Sequence, residues 1–501
     1  MKFKITRLEQ LPKLSWLIKI NKNETEVELI CGSWVEKSKN FFVEGAWDDE
    51  FDNPTFDKSV VFMGSGGIVS DDKVTLVTPC NTLEAIYSIR KDDTYFFSNS
   101  ISFLLEVTGE DLDLSYAHYE HDILTISDGI YDYKRHIPLE NGKEMELHYF
   151  ENIEVDANLN IERKTKNNPP SFKNFNEYYS FLIKKLKEIN RNFTSDQRIK
   201  RYDPIVFVSN GYDSPMCATL GREIGCNKAV VFESKKNRVD SGKPIVELLG
   251  YENIIEKEEL NYLDMTNTEE FVANGELGTS LYFSVVEDEL EGTFVLSGGH
   301  GDWVWDKNVK PNTKILRHFF PGTARKEFRL RAGFNLVVIP FFAVQSHKDI
   351  HAISNSEEMK PWSLGNDYDR PIPRRIVEEK GIPRDYFGVE KDGGVASSLR
   401  FLNLTYLKRI MPAANFKEFE IFYKRNKKFR KKNIDYIIHS LKYSIYIMKI
   451  ILKQKGIISS FKEPERKYAC SPWAPSFLFH WGVDKVRRRY RLALNEKENK
   501  I

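Results

Sequence analysis

The sequence predicts an α/β protein whose central part holds a parallel β-sheet and whose first third is mainly β. Within residues 205–232 an apolar strand, a loop, a helix and a second apolar strand follow one another, and this succession is typical of a parallel sheet. Before residue 165, short β-branched and aromatic runs alternate with Gly, Asn and Asp clusters, which is typical of a mainly β domain. A chain of 501 residues is expected to form two or three domains.

The N-terminal domain is predicted over residues 1–165. Residues 60–63 (Val-Val-Phe-Met) lead into a Gly-Ser-Gly-Gly turn, and residues 95–97 follow two aspartates. Residues 164–171 are polar and contain two prolines, so we expect a linker there.

The second domain is predicted over residues 172–420. Apolar residues recur at helical spacing between Phe175 and Ile189. Strands are expected at 205–208, 229–232 and 293–296, with a helix from about Pro215 to Ile224 that Gly225 ends.

Residues 421–501 are predicted to be a basic helical extension. Residues 424–432 are a basic run, and isoleucines, leucines and a methionine between 434 and 452 then line one face of a helix. Such a helix can make peripheral contact with an acidic membrane surface through residues 424–452. It can equally be a packing helix with a solvated charged face.

Composition excludes several classes of protein. Lys+Arg number 74 and Asp+Glu 73, a net charge of +1, so no nucleic-acid partner is expected. The five cysteines form no C-x-x-C pair, which excludes a zinc ribbon and favours free thiols. The first residues mix charged and apolar side chains, unlike a signal peptide, and no stretch approaches the about 20 apolar residues of a membrane span. We therefore expect a cytoplasmic protein.

The loop at residues 209–214 (Ser-Asn-Gly-Tyr-Asp-Ser) is the leading candidate for a phosphate site. A loop between a parallel strand and a helix directs backbone N–H groups and the helix N-terminus at one point, which suits phosphate. Ser209 and Ser214 can donate hydroxyl hydrogen bonds, Gly211 allows close approach, and Asp213 can hold Mg²⁺ beside phosphate oxygens. The alternative is an ordinary Asn-Gly turn with Asp213 as a helix cap.

This loop resembles the Ser-Gly-Gly-x-Asp-Ser loop of the ATP-pyrophosphatase (PP-loop) superfamily, whose members cleave ATP between the α- and β-phosphates. Residues 297–302 (Ser-Gly-Gly-His-Gly-Asp) are similar to the second glycine-rich loop of the asparagine synthetase-like family. The resemblance implies an adenine-nucleotide alpha-hydrolase-like synthetase domain with ATP and Mg²⁺ as cofactors. It implies nucleotide contacts from Ser209, Asn210, Gly211, Asp213, Ser214, Val231, Phe232, Ser297, Gly298 and Gly299, and Mg²⁺ ligands at Asp213 and Asp302. Asp302 as a helix cap remains the alternative.

Residues 368–394 look like the C-terminal part of the same domain, where a basic segment closes over pyrophosphate and the acyl-adenylate. Lys391 is the residue carried over, with Arg374 or Arg375 as further candidates, because a cation there would stabilise charge on the leaving pyrophosphate. A solvated basic loop is the alternative. Residues 98–105 are similar to a late strand of the family's Ntn-type glutaminase domain.

Three residues depart from the family. Lys2 follows Met1 and the first cysteine is Cys31, so the N-terminal domain is predicted to be a degenerate glutaminase-like domain that does not hydrolyse glutamine. Asn210 replaces a glycine, and Gly299 stands where asparagine synthetases carry a glutamate. His300 follows it and is a candidate base, with capping or packing as the alternative.

The resemblance implies an ATP-dependent, AMP-forming carbon–nitrogen ligase. It would adenylate a small-molecule or peptide carboxylate and pass it to an amine, or to ammonia that is free or delivered by a partner protein. Two alternatives stay open: an adenylating enzyme with another acceptor such as RNA, and a degenerate nucleotide-binding scaffold subunit.

Overall fold

The computed structural model contains three β-sheets, one mixed, one antiparallel and one entirely parallel. The structure describes residues 1–233, 241–276, 278, 280–312, 314–315, 325–389, 399, 404–430, 434–462, 464, 468 and 475–498. The predicted mixed α/β class is confirmed.

The first 165 residues supply two of the sheets, so this region is mainly β as predicted. The seven-stranded sheet has, in spatial order, β1 (Lys2–Arg7), β3 (Glu26–Cys31), β2 (Trp16–Asn21), β9 (Thr94–Ser98), β8 (Ile86–Lys91), β11 (Glu144–His148) and β10 (His136–Pro138). Only β1 and β3 pair in parallel. The antiparallel six-stranded sheet has the order β13 (Ile161–Thr165), β12 (Glu151–Asp156), β7 (Lys73–Val77), β6 (Phe62–Val69), β5 (Phe41–Trp47) and β4 (Glu36–Lys37).

These two sheets pack face to face. Alternate residues of β2 and β3 point into one apolar layer with residues of β5, β7 and β12, as the two-residue period of a strand requires. The rings of Trp16 on one sheet and Phe42 on the other lie 5.0 Å apart. Trp16 also donates its Nε1–H to Ser65 Oγ on the six-stranded sheet, at 3.0 Å.

Helices cover the outer faces of this pair of sheets. Phe103 of α1 (Ile101–Thr108) stacks on Tyr490 of α14 (Pro475–Glu498), with centroids 4.6 Å apart, and both residues belong to the apolar cluster on the seven-stranded sheet. On the other side, Leu182 and Leu186 of α3 (Phe175–Phe193) share a cluster with residues of β5. The two sheets therefore lie between helices, of which α1 belongs to the first 165 residues while α3 and α14 come from later in the chain.

The predicted strand-like similarity of residues 98–105 is wrong. Strand β9 ends at Ser98, and Ser100 caps α1 by accepting a hydrogen bond from the Phe103 N–H at 3.0 Å. Such a serine cap begins a helix, and Gly109 in the left-handed conformation ends it.

The predicted linker at 164–171 is only partly irregular. Its first two residues end β13. Lys166 is buried, and its ammonium donates to the Thr78 carbonyl and to Asn152 Oδ1 at 2.7 Å. Residues 167–171 have no regular structure, so the expected break begins three residues later.

The third sheet contains the predicted parallel strands. Its order is β16 (Asn253–Glu258), β15 (Lys228–Glu233), β14 (Asp203–Phe207), β17 (Thr293–Ser297) and β18 (Asn335–Val338), and all four pairings are parallel. The helix expected near 215–224 is α4 (Asp213–Arg222), and the helix expected at 175–189 is α3. The β-α-β unit is thus confirmed.

The remaining helices are mostly short. They are α2 (Tyr119–Leu124), α5 (Lys243–Leu248), α6 (Glu287–Leu290), α7 (Gly301–Val304), α8 (Lys326–Ala332), α9 (His347–Ser354), α10 (Pro371–Glu378), α11 (Leu404–Ile410), α12 (Ala413–Arg430) and α13 (Ile434–Gln454). Within the described ranges, no helix is long and apolar enough to cross a membrane. Cys31, Cys80, Cys217 and Cys226 are buried free thiols, whereas Cys470 lies outside the described residues.

A buried charge network joins the N-terminal sheets to the parallel-sheet region. The Arg329 guanidinium on α8 donates to Glu84 Oε1 at 2.8 Å and to both oxygens of Glu44 at 2.8 and 3.1 Å. Next to it, Ser100 Oγ donates to Glu327 Oε1 at 2.6 Å. The two regions therefore pack through satisfied polar groups as well as apolar contacts.

Candidate functional site

The strand order places the two glycine-rich loops side by side. Strand β14 lies at the centre of the parallel sheet, with β15 on one side and β17 on the other. The chain leaves β14 toward β15 and β16 and only later forms β17 and β18, so the order of winding reverses between β14 and β17. Open α/β sheets bind ligands at such a switch point, outside the carboxyl ends of the strands.

The first loop is held in shape by its two serines. Ser214 Oγ accepts a hydrogen bond from the Ser209 N–H at 3.0 Å and lies 2.9 Å from Ser209 Oγ. Asp213 is the first residue of α4, and the N-cap position belongs to Tyr212. The alternative in which Asp213 caps the helix is therefore wrong.

The second loop packs directly against Asp213. A Cβ atom at Gly298 would lie 2.6 Å from Asp213 Cβ, and one at Gly301 would lie 2.7 Å from Asp213 Cγ. Both distances are shorter than ordinary carbon–carbon contacts, so both positions require glycine. Ser297 Oγ accepts from the Gly299 N–H at 3.1 Å and closes the turn.

Asp302 follows this turn as the second residue of α7, whose N-cap position is His300. The capping alternative for Asp302 is thus wrong as well. Asp302 directly follows Gly301, the residue that packs on the Asp213 carboxylate.

Arg370 pairs with Asp213 and lies near a second acidic residue of this site. Its Nη1 lies 2.5 Å from Asp213 Oδ2, and its Nε lies 4.0 Å from Asp306 Oδ2. Burial alone would lower the pKa of Arg370, but its interactions with Asp213 first, then with Tyr368 and least with Asp302, outweigh burial and raise the pKa. We did not single out this arginine from the sequence. Arg370 stands just before Pro371 at the start of α10, inside the segment 368–394. No feature of that segment distinguished it from the neighbouring arginines.

The third predicted segment reaches the first loop through its backbone. The N–H groups of Gly388 and Val389 donate to the carbonyl oxygens of Gly211 and Asn210, both at 3.2 Å. Gly388 has a φ of 76°, and a Cβ there would lie 2.8 Å from the Tyr212 ring. Lys391 follows Val389 by two positions in sequence but lies outside the described residues, so its role stays a prediction.

Arg374 lies behind the first loop. It is 1% exposed, donates to the Tyr212 hydroxyl and binds Glu378 Oε1 at 3.1 Å. Its guanidinium also stacks on the Tyr212 and Phe387 rings. In this structure Arg374 therefore positions Tyr212. The neighbouring Arg375 pairs with Glu379 at 2.8 Å, away from the loop.

His300 sits in an aromatic environment. It has a left-handed backbone, with a φ of 79°, and its ring stacks on Phe341 with centroids 4.8 Å apart. Trp303 lies 5.0 Å from it and contacts His347 on the other side. Burial lowers the pKa of His347 to about 4, so this aromatic cluster disfavours positive charge on His347.

Val231 and Phe232 lie in β15, beside β14 and near the same edge of the sheet as the first loop. Val231 is buried, and Phe232 is half-buried between the rings of Phe207 and Tyr282. Residues 234–240, which follow this strand, lie outside the described residues.

The acidic groups offer two carboxylates for a cation. Among the described residues, no group of three or more His, Cys, Asp or Glu side chains is arranged to hold a metal ion. Mg²⁺ commonly binds through one or two carboxylates and takes its other ligands from phosphates and water. Asp213, and Asp302 one position after the Gly301 that packs on it, are the two candidates for that smaller requirement.

A wide groove of about 890 Å³ lies elsewhere, lined by residues of α3 and by Glu223 and Ile224 after the end of α4. The ten residues of α4 span about 15 Å, which separates this groove from the loops at the other end of the helix. Its lining contains no glycine and it lies at the opposite end of α4 from the glycine-rich loops, so we place the candidate site at the loops. No protein-family model matches the sequence, and comparison with curated proteins finds no matching sequence.

Proposed function

We propose that the chain is an ATP-dependent, AMP-forming ligase that adenylates a carboxylate and transfers it to an amine or to ammonia. The observation that carries the proposal is the close packing of Gly298 and Gly301 on Asp213. It unites the two loops that resemble the PP-loop and asparagine synthetase-like motifs at the switch point of a parallel sheet.

The residues of the two loops suit a triphosphate. The N-terminus of α4 provides partial positive charge, and Ser209 and Ser214 provide hydroxyl groups next to it. Asp213 and Asp302 would hold Mg²⁺, which supplies charge neutralisation for the phosphates when bound.

Arg370 is a positively charged side chain that the protein places beside the first loop. Guanidinium groups bind phosphate oxygens as well as carboxylates, and Arg370 is held on Asp213 at the entrance to α4. A phosphate at this position would therefore meet a buried cation without the cost of bringing one in. Lys391 is proposed as the second cation, and Arg374 keeps Tyr212 in place beneath the loop.

The N-terminal third supports the rest of the proposal. Its two packed sheets, with α1 on one outer face, support a degenerate Ntn-type domain, and Cys31 is buried within the sheets. A buried thiol whose pKa burial raises to about 11 is a poor nucleophile at neutral pH. The nitrogen donor is therefore an amine on a substrate, ammonia, or a partner that delivers ammonia.

The test has two stages. Equilibrium dialysis with labelled ATP and Mg²⁺ measures binding, and a pyrophosphate-release assay with pooled carboxylates and amines measures adenylation. Removal of a preorganised charged group at such a site costs about 10²- to 10³-fold in rate, so we expect that loss for Asp213→Asn. Asp93→Asn, on an exposed turn where Asp93 pairs with Lys22 at 3.2 Å, is the control and should leave both assays unchanged.

The outcomes distinguish the proposed ligase from its two alternatives. Absence of ATP binding by the wild-type protein would overturn the proposal. ATP binding without pyrophosphate release from any carboxylate would favour the scaffold alternative, and release that requires RNA would favour the RNA-modifying one.

A further inference from the structure

Helix α13 exposes an apolar row along most of its length. Seven side chains are between 42% and 71% exposed: Ile434, Ile437, Ile438, Leu441, Ile445, Met448 and Ile451. They recur every three or four residues and so share one face of the helix. At 1.5 Å per residue the row is about 26 Å long.

One residue on the opposite face of α13 is buried against the protein. His439, about 200° around the helix from Leu441 at 3.6 residues per turn, is 2% exposed and stacks on His118 at 5.0 Å. The apolar row faces away from this contact. A packing helix would bury the row, whereas in the described part of the chain it is exposed.

The sequence around the row is strongly basic. Residues 424–455 contain eleven Lys and Arg and a single acidic residue, Asp435, in a chain of net charge +1. At 100° per residue, Lys442, Lys449 and Lys453 fall along one border of the row, where Lys442 Nζ lies 3.8 Å from the Tyr468 ring centroid and Lys449 Nζ 5.9 Å from that of Phe461. Lys427 and Lys428, at the end of α12, are exposed.

We infer that this face of α13 docks on an anionic lipid surface. An exposed apolar row bordered by lysines matches an interfacial helix, which buries its apolar side at the headgroup boundary while its cations meet lipid phosphates. Long lysine side chains can reach the headgroups from the border of the row. Because such a helix lies along the lipid surface and does not cross it, the protein would contact the membrane from one side only.

Sedimentation of the full chain with vesicles tests this inference. The wild-type protein should sediment with vesicles of phosphatidylcholine mixed with phosphatidylglycerol and much less with phosphatidylcholine alone, and added salt should weaken binding. Leu441→Glu/Ile445→Glu should weaken it about a hundredfold, because two buried apolar side chains are replaced by charges that the lipid repels. Lys442→Gln/Lys453→Gln should weaken it about 25-fold, at about fivefold per lysine.

Leu248→Glu is the matched control. Leu248 ends α5 and is 54% exposed, so the change adds the same charge to an exposed leucine outside the row and should leave binding unchanged. Circular dichroism should show the same helix content in all variants, since every altered side chain is at the surface.

Three results would overturn the inference. They are no sedimentation of the wild-type protein with anionic vesicles, equal sedimentation of Leu441→Glu/Ile445→Glu, and a wild-type dimer that this variant converts to monomer without vesicle binding. The last result would assign the face to a second copy of the chain. Because ATP binding is measured without lipid, failure here leaves the proposed ligase function untouched.

Discussion

Replacement of Gly298 by alanine tests whether the two loops form one site. The added methyl group would lie 2.6 Å from Asp213 Cβ and 2.8 Å from the Asp213 carbonyl carbon and oxygen. Ordinary contacts between such atoms are about 3.5 Å. Asp213 or Gly298 must therefore move by about 1 Å, and the backbone of Asp213 cannot give way as a flexible side chain would.

The size of the effect follows from that displacement. Overpacking a close contact typically costs about 1–3 kcal/mol of stability, and a misplacement of about 1 Å at a reacting site can cost about 100-fold in rate. We therefore expect Gly298→Ala to lower both the stability of the protein and the rate of its reaction by about these amounts. Gly299→Ala is the control, because a Cβ there meets only Ser297 Oγ, at 3.2 Å.

Thermal unfolding and ATP binding measure the two effects separately. Gly298→Ala should unfold at a lower temperature than Gly299→Ala and should bind Mg-ATP more weakly than the wild-type protein. Equal stability of the two variants would refute the convergence of the loops. If the two variants differ in stability but no form of the protein binds ATP, the two loops converge as described and the proposed nucleotide site is wrong.

Two further predictions concern stability. Arg329→Met should lower the free energy of unfolding in urea by about 3–5 kcal/mol, since it leaves Glu44 and Glu84 buried without their cation. The control Arg491→Met removes an exposed ion pair and should lower it by at most about 1 kcal/mol. Equal losses in the two variants would contradict this prediction. Burial raises the pKa of Glu327 to about 7, so the native state keeps a proton that the unfolded chain loses, and stability from this group is present at low pH and lost as pH rises. The difference in unfolding free energy between wild type and Glu327→Gln should therefore fall by about 2 kcal/mol from pH 5 to pH 7, and a flat difference would contradict it.

Local pattern was enough to predict the elements of the parallel sheet. Residues 205–208 and 229–232 are continuous apolar runs, as strands buried on both faces require, and Gly225 ends the intervening helix with a φ of 78°. The glycines of the second loop were singled out by resemblance, and the structure gives a physical reason for one of them, because a Cβ at Gly298 would overlap Asp213.

Contacts between distant segments were not predictable in the same way. Arg370 lies 157 positions from Asp213, and no local period of the sequence encodes such a pairing. The buried row of Ser100, Glu327 and Arg329 is also formed across the two halves of the chain. The error at residues 98–105 has a local cause, because an apolar run of that length suits a strand or a helix and only the Ser100 cap decides between them.

The departures from the family pattern bear on the scaffold alternative, which rests on Asn210 and Gly299. Asn210 is not among the described non-glycine residues with positive φ, so its backbone does not need a glycine. What it contributes to Val389 is its carbonyl oxygen, which every residue offers. Gly299 is bordered only by Ser297 Oγ at 3.2 Å, so the missing glutamate leaves space beside the loop and does not deform it. Both departures therefore leave the backbone of the proposed phosphate loop undistorted, so neither of them supports the scaffold alternative over the proposed ligase.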